Sequence, residues 1–252
     1  MSEFAFIMAV AGFAFALAGF VKGVLGQGLP TVAIGVLALI MSPGEATALL
    51  IIPALLTNIW QAWAGPALWP LLRRLWPTLL AIALGTWIAT ALGLGLLTPE
   101  AASIARKTLG VTLILYGILG LSNVNLRTPR RYEPWLGPAM GAANGAVSTA
   151  TGVFMVPVIP YIASLGLDRD ELVQAQGISF TVSTSSLSLV LIANGTLHVG
   201  NAAASLLAVV VAVLGMMLGQ YVRKLARPEI FRILFFLGML ALGFHLAFLF
   251  QR

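Results

Sequence analysis

Long, continuous apolar runs dominate this chain and leave few folds open to it. Of its 252 residues, 60% are hydrophobic and only 9% are charged, whereas soluble domains carry about 25% charged residues. A helix needs about 20 residues to cross the hydrocarbon core of a membrane, and several runs reach that length. Membrane-spanning β-strands would instead alternate in polarity over segments of about ten residues. The sequence therefore predicts an all-α polytopic membrane protein. Ten apolar segments can be distinguished: Phe4–Val21, Pro30–Met41, Ala46–Trp63, Leu75–Leu97, Pro99–Leu121, Pro134–Asn144, Gly152–Leu165, Leu172–Ala193, Asn201–Leu218 and Pro228–Phe250.

Two interruptions of these apolar segments occupy corresponding places, one in each half of the chain. The first break runs from Gly19 to Pro30 and the second from Gly141 to Pro157, and both are rich in glycine and small polar residues. Paired Gly/Pro interruptions in matching halves point to the binding site of a secondary transporter. Backbone that leaves a helix at membrane depth must be buried in protein or line a cavity. The second, sixth and seventh segments, which flank the breaks, are too short to cross cleanly.

The placement of positive charge discriminates between two topologies. If all ten segments cross, the basic loops are split between the two sides of the membrane. If each broken pair is a re-entrant hairpin, ten of the 14 basic residues share one side and six segments cross fully. The positive-inside rule favours the hairpins and puts both termini in the periplasm. Tilted short spans with a coincidental charge count are the alternative. The ten residues are Arg73, Arg74, Arg127, Arg130, Arg131, Arg169, Arg223, Lys224, Arg227 and Arg232.

The two halves of the chain can also be aligned. Glu45–Asn58 aligns with Glu171–Thr184 at an offset of 126 residues, and Thr98–Glu100 aligns with Arg227–Glu229 at an offset of 129. Each unit is then a hairpin followed by three crossing helices, and an odd number of crossings makes the repeats inverted. We therefore divide the single membrane domain into a first repeat (1–126), a basic cytoplasmic linker (127–133) and a second repeat (134–252).

Lys22 is the residue that most sharply suggests a site. It is the only basic residue before Arg73, it lies in the first break, and no carboxylate lies in either break. A charge at membrane depth is costly and should face a cavity or a partner, so a bound anion could be the partner. The alternative is that Lys22 extends to a membrane surface. Its counterpart in the second break is Asn144, a neutral hydrogen-bond donor.

The breaks offer further groups that could bind an anion. Glycines expose backbone N–H groups, and helix N-termini carry positive partial charge that suits phosphate, sulfate or carboxylate. Close helix packing is the alternative explanation for these glycines. The candidate residues are Gly26, Gln27 and Gly28 in the first break, and Ser148, Thr149, Thr151 and Gly152 in the second.

Two apolar segments carry polar residues at aligned positions. Thr57 and Asn58 in the third segment correspond to Ser183 and Thr184 in the eighth. These side chains could line a polar path, or they could simply hydrogen-bond one helix to another. Among the tryptophans, only Trp60 is close enough to Asn58 in sequence to form a wall of such a path.

Several functions are excluded by what the sequence lacks. There are no cysteines, so disulfides, thiolate metal sites and thiol relays are ruled out. No His/carboxylate cluster, no nucleophile–base pair and no phosphate-binding P-loop is recognisable. We therefore expect no enzyme, no metal and no cofactor. The net charge of +6 reports loop charges that set topology rather than nucleic-acid binding.

The pattern resembles the TauE/SafE family of sulfite and organosulfonate exporters. The resemblance rests on Gly19, Lys22-Gly23 and Gly26-Gln27-Gly28, followed by a hydrophobic helix and a helix of small polar residues, all repeated after a basic loop. It covers nearly the whole chain. The family usually has a run of glycines before a proline in each break, and both breaks here depart from that pattern. The resemblance implies transport of a sulfur oxyanion or a small organic anion, whereas the residues themselves indicate only a small anion.

Together these observations predict a secondary transporter in the bacterial inner membrane, carrying sulfite or an organosulfonate by alternating access. The anion is expected between the two hairpin tips, within the lipid bilayer and without nucleic acid as a partner. Small residues on outer helix faces would permit a homodimer without requiring one. A passive anion channel of the same fold and a non-transporting membrane assembly subunit remain the alternatives.

Overall fold

The computed structural model describes residues 3–122, 127–195, 202–225 and 228–250. Within these ranges every regular element is helical, which confirms the predicted all-α class. The α-helices are α1 Glu3–Leu25, α2 Leu29–Leu37, α3 Pro43–Trp63, α4 Leu68–Ala91, α5 Ala102–Leu121, α6 Glu133–Thr151, α7 Val158–Ala163, α8 Arg169–Ala193, α9 Ala202–Leu225 and α10 Pro228–Phe244. A 3-10 turn at Arg130–Tyr132 precedes α6, and a π-helical segment at His245–Leu249 follows α10.

Six helices of the described ranges are long and apolar enough to cross a membrane. They contain the segments Ala5–Leu25, Pro43–Trp63, Ala102–Leu121, Arg169–Ala193, Leu206–Leu225 and Glu229–Leu249. Helix α4, which was predicted to cross, is not among these six; it is 24 residues long and carries Arg73 and Arg74 in its second turn. These two arginines were predicted in a loop before Leu75, and that boundary is wrong. Helix α1, which was predicted to be part of a hairpin, is among the six.

Both breaks are shorter than the sequence suggested. Helix α1 continues through Lys22 to Leu25, so Lys22 lies in the last turn of a helix rather than inside a break. The chain turns only at residues 26–28, where Gly26 and Gly28 have φ angles of 77° and 107°. Helix α6 likewise runs 19 residues through Asn144 to Thr151, so the short sixth segment was also wrong. Glycines inside a membrane helix do not end it, because each N–H still bonds within the helix.

The glycines of α1 and α6 bring neighbouring backbones into contact. A Cβ atom at Gly19 or Gly23 would collide with the backbone of α9, including the Ala212 carbonyl. A Cβ atom at Gly141 or Gly145 would collide in the same way with the backbone of α4. Close helix packing therefore explains these four glycines, as is usual for small residues in membrane helices. Helix α1 runs parallel to α9, and α6 runs parallel to α4.

Helices α3 and α8 begin with the same N-terminal capping motif. Ser42 and Glu45 form a capping box, in which Ser42 N–H donates to Glu45 Oε2 at 2.9 Å and Glu45 N–H donates to Ser42 Oγ at 3.2 Å. Asp168 and Glu171 form the equivalent box before α8. A capping box fixes where a helix starts. The two helices therefore begin at equivalent positions, 126 residues apart. They pack antiparallel, because Asn58 of α3 contacts Thr184 of α8 whereas the later Gln61 contacts the earlier Val173.

Polar contacts define the two ends of the helix bundle. At the end that we call the basic end, Arg74 bonds Glu133 at 2.7 Å and donates to the Leu165 carbonyl at 3.1 Å. Thr128 N–H also donates to the Ser164 carbonyl there, at 2.9 Å, so the chain that enters α6 and the chain that leaves α7 lie together. At the opposite end, Arg106 donates to the carbonyls of Ala38 and Met41, just after α2.

Candidate anion-binding site

Lys22 is buried at the centre of a polar cluster. Its side chain is 3% exposed, and Nζ donates to Thr57 Oγ1 at 3.1 Å and to Asn58 Oδ1. Thr57 is held in turn by donating to the Pro53 carbonyl of its own helix at 2.8 Å. Among the described residues, no carboxylate lies within ion-pair distance of the ammonium group. The cation is therefore surrounded by neutral oxygens.

The aligned polar residues of the second half complete this cluster. Asn58 Nδ2 donates to Thr184 Oγ1 at 3.2 Å, which joins two residues at equivalent positions of α3 and α8. Asn144 Nδ2 donates to Ser183 Oγ at 3.2 Å. All four side chains are almost completely buried. The Asn144 carbonyl oxygen has no hydrogen-bond partner in the described part of the chain.

A polar cavity of about 300 Å³ reaches Lys22 from the basic end. Gln61 and Gln174 form part of its wall, and the exposed Trp60 forms another part, as the sequence suggested it could. Gln220 and Arg223 of α9 also line this cavity. An anion in this cavity would meet Arg223 and the amide groups on its way to Lys22, and also the exposed carboxylate of Asp170.

Towards the opposite end the surroundings become apolar. Ile51 lies two turns before Asn58 on α3, and Leu187 and Leu191 follow Thr184 on α8. These three side chains form a separate buried cluster with Leu97, which follows α4. In the described structure this cluster lies between the polar residues and the opposite end of the bundle.

Gly26 and Gly152 do not present free N–H groups to the cluster. Gly26 N–H donates to the Lys22 carbonyl and Gly152 N–H donates to the Ser148 carbonyl, both at 2.8 Å. The Gly28 carbonyl accepts the first hydrogen bond of α2. Gln27 Oε1 accepts a long hydrogen bond of 3.4 Å from Gln176 of α8. The N–H groups of Gly26 and Gly152 are therefore used at the ends of their own helices rather than directed at the Lys22 cluster.

The hydroxyl groups expected to bind an anion from the second break are used within α6. Ser148 and Thr149 both donate to the Gly145 carbonyl at 2.8 Å. Thr151 donates to the Val147 carbonyl at 2.8 Å and accepts from the N–H of the residue after Gly152. A hydroxyl has one proton to donate, so these three groups are not free donors in this structure.

Sequence reasoning missed the contact between the helix that follows the first break and the second break itself. Thr31, at the start of α2, contacts the sulfur of Met155 in the second break. Aligning Gly28 with Gly152, both of which have positive φ, would have paired these two positions. Reasoning from sequence also left out Ser179, whose buried hydroxyl has no described partner, and used Arg223 only to assign topology.

The fold and the buried cluster together define a multi-pass helical membrane protein with a polar site inside its bundle. The family model described as sulfite exporter TauE/SafE matches residues 11–246. The chain therefore belongs to the TauE/SafE family of sulfite exporters, which confirms the resemblance drawn from its sequence. No curated protein and no solved structure matches the chain.

Proposed function

We propose that this protein is a secondary transporter of a small anion, with sulfite or an organosulfonate as its substrate, and that it works by alternating access. The observation that carries the proposal is Lys22, a buried ammonium group that has only neutral oxygen partners among the described residues and lies at the inner end of a polar cavity. A buried charge is stabilised by an opposite charge, and an anion from the cavity would supply it. The name of the family supports a sulfur oxyanion.

The hydrogen-bond inventory of the cluster supports an anion rather than a cation. An ammonium group has three N–H donors, and Lys22 uses two of them on Thr57 and Asn58. Asn144 and Asn58 each use one of their two amide protons, on Ser183 and Thr184 respectively. The hydroxyls of Ser183 and Thr184 accept hydrogen bonds, and their own protons have no acceptor in the described structure. Five donors therefore remain unused, and the proposal assigns them to the oxygens of one anion.

These donors come from side chains of four helices rather than from the N–H groups of the breaks. Lys22 lies on α1, Asn58 on α3, Asn144 on α6, and Ser183 and Thr184 on α8. We therefore place the anion between these four helices, beside the two hairpins. Thr57 and Asn58 hold the ammonium group in position, so they orient the cation as well as lining the site.

Inverted repeats are the second part of the proposal. If the halves are exchanged, the α1–α9 packing corresponds to the α6–α4 packing, and α3 and α8 exchange with each other. Residues near a two-fold axis contact their own equivalents. Asn58 contacts Thr184 and Thr31 contacts Met155, which supports an axis that runs through both contacts and lies in the membrane plane.

Re-entrant hairpins follow from the same reasoning. The chain enters α6 and leaves α7 at the basic end, where Thr128 bonds Ser164. Helix α2 ends at the opposite end, near Arg106, where α1 also begins because α1 runs parallel to α9. By the positive-inside rule the basic end would face the cytoplasm of a bacterium. Both termini would then be periplasmic and the membrane would be the inner membrane.

Thermal stabilisation of the purified protein tests the binding step. The panel is sulfite, thiosulfate, sulfate, taurine, sulfoacetate, isethionate, acetate and chloride. A ligand that binds only the folded state raises the melting temperature by mass action. We expect a selective shift for a sulfur oxyanion or sulfonate that is lost in Lys22→Gln and kept in Lys224→Gln, because Lys224 is exposed at the end of α9.

Flux into proteoliposomes then separates the alternatives. Saturable flux of the stabilising anion would support a transporter, whereas flux without saturation would support a channel of the same fold. An absence of both stabilisation and flux for the whole panel would overturn the proposal and favour an assembly subunit.

A further inference from the structure

Arg223 is a cation that the proposed inner site does not use. It lies near the end of α9, half-buried, on the wall of the same 300 Å³ cavity that reaches Lys22. Within the described ranges its guanidinium group makes no hydrogen bond and no ion pair, although Arg169 and Asp170 at the start of α8 are its charged neighbours. A guanidinium group has five N–H donors in a fork that fits two oxygens of an oxyanion.

The packing of α1 against α9 sets the positions of Lys22 and Arg223 along the cavity. The backbone at Gly23, next to Lys22, lies against α9 at Met216 and Gln220. Arg223 follows Gln220 by three residues, which places it about 5 Å closer to the basic end at the helical rise of ~1.5 Å per residue. Met216, Gln220 and Arg223 share the face of α9 that lines the cavity.

We propose that Arg223 forms an outer anion-binding position at the mouth of this cavity, taking the same small oxyanion before it reaches Lys22. This inference rests on the proposed function for the identity of the anion, although not for the existence of the outer position. The exposed Asp170 on the cavity wall forms no ion pair with Arg223, and the neighbouring Arg169 opposes the electrostatic effect of that carboxylate. A cleft with a net positive charge raises the local concentration of anions, and Lys22 and Arg223 outnumber Asp170 on this wall, so the outer position would accelerate loading of the inner one.

Trp60 provides a direct probe of this position because its exposed indole lines the same cavity. Iodide quenches tryptophan fluorescence on collision, so quenching reports the local concentration of an anion whichever substrate the protein carries. The Trp60 signal is the difference between the intact chain and its Trp60→Phe variant, measured at constant ionic strength. Acrylamide, a neutral quencher, reports accessibility alone.

We expect Arg223→Gln to lower iodide quenching of Trp60 about threefold and to leave acrylamide quenching unchanged, as one charge a few ångströms away changes the local anion concentration by about this factor in water. The matched control is Lys224→Gln, which removes the same charge from the next residue. Lys224 is exposed and does not line the cavity. It should leave both quenchers unaffected. Equal iodide quenching in the two variants would overturn the outer position.

Sulfite transport in proteoliposomes gives the second readout. Arg223→Gln should raise the KM for sulfite about threefold, weaken its dependence on salt and leave the maximal rate unchanged, because the outer position is occupied only transiently. If iodide quenching depends on Arg223 but sulfite and the sulfonates neither stabilise the protein nor cross the membrane, the outer position stands and the proposed substrate class fails. If Lys22→Gln abolishes sulfite stabilisation but Arg223→Gln changes neither quenching nor KM, the proposed function stands and the outer position is wrong.

Discussion

Replacing Asn58 by aspartate would place a permanent competitor for the substrate inside the protein. Asn58 Oδ1 already accepts a hydrogen bond from Lys22, and Asn58→Asp changes one charge and almost no volume. The carboxylate would pair with the ammonium group that we assign to the anion. The Thr184 hydroxyl, which now accepts from Asn58 Nδ2, can turn and donate to the new oxygen. We therefore expect a folded protein that no longer binds its anion.

The size of the effect follows from the geometry of this contact. Two unit charges about 4 Å apart attract each other by roughly 4 kcal/mol at the effective dielectric constant that suits protein sites. At about 1.4 kcal/mol for each factor of ten, this corresponds to several hundredfold in affinity. Desolvation of the new carboxylate offsets part of this term. We therefore expect the sulfite concentration needed for a given rise in melting temperature to increase at least about a hundredfold in Asn58→Asp.

Gln220→Glu is the matched control because it adds the same charge to the cavity at an exposed position. General repulsion should make sulfite binding only a few-fold weaker in this variant. In a Lys22→Gln background, Asn58→Asp should destabilise the fold by about 3–5 kcal/mol, since the buried carboxylate then lacks its partner. Wild-type sulfite affinity in the single Asn58→Asp variant would refute the role of Lys22.

Two further predictions concern stability and can be measured by thermal unfolding in detergent. Gly23→Ala should lower the free energy of unfolding by about 1–3 kcal/mol, because a Cβ there collides with the backbone of α9. The control is Gly12→Ala on the same helix, which should be neutral because its Cβ meets nothing within 4 Å. Arg74→Gln should lower the free energy of unfolding by about 1–3 kcal/mol, because the substitution removes the ion pair to Glu133. The control is Arg73→Gln, which should have little effect because Arg73 is exposed. Equal melting temperatures within either pair would contradict the corresponding contact.

The alignment of α3 with α8, although not their contact, could be predicted from sequence for a clear physical reason. Both helices start at a capping box, so a single offset aligns every later residue. The polar residues at Asn58 and Thr184 then fall on equivalent turns, and the structure brings them to 3.2 Å. Local signals of this kind can be read without knowing which helices are neighbours.

The extent of the breaks could not be predicted, because the same glycines serve two purposes. Gly19 and Gly23 suggested an interrupted helix, yet in the structure they allow α1 to approach α9. The choice depends on a partner almost 200 residues away. One signal was available: Gly215 and Gly219 on α9 have the same spacing of four, which is typical of closely packed membrane helices.

The partner of Lys22 was missed for a related reason. The search for a partner considered only carboxylates, whereas the structure supplies the neutral oxygens of Thr57 and Asn58. Neutral oxygens orient an ammonium group without cancelling its charge. This arrangement leaves the cation available to a ligand, which a built-in carboxylate would prevent.

Alternating access requires the opposite end of the bundle to open, and a pair of introduced cysteines can test this. Ile51 of α3 and Leu187 of α8 belong to one buried apolar cluster, which lies between the polar residues and that end. If the anion leaves by this route, α3 and α8 must separate there during each cycle.

The chain has no native cysteine, so Ile51→Cys with Leu187→Cys introduces the only thiols. Oxidation of the pair should abolish sulfite flux and dithiothreitol should restore it. Stabilisation by sulfite should persist in the oxidised protein, because the cavity reaches Lys22 from the basic end. Full flux through a quantitatively oxidised pair would show that the anion does not pass between these helices, and the cluster would then be only part of the core.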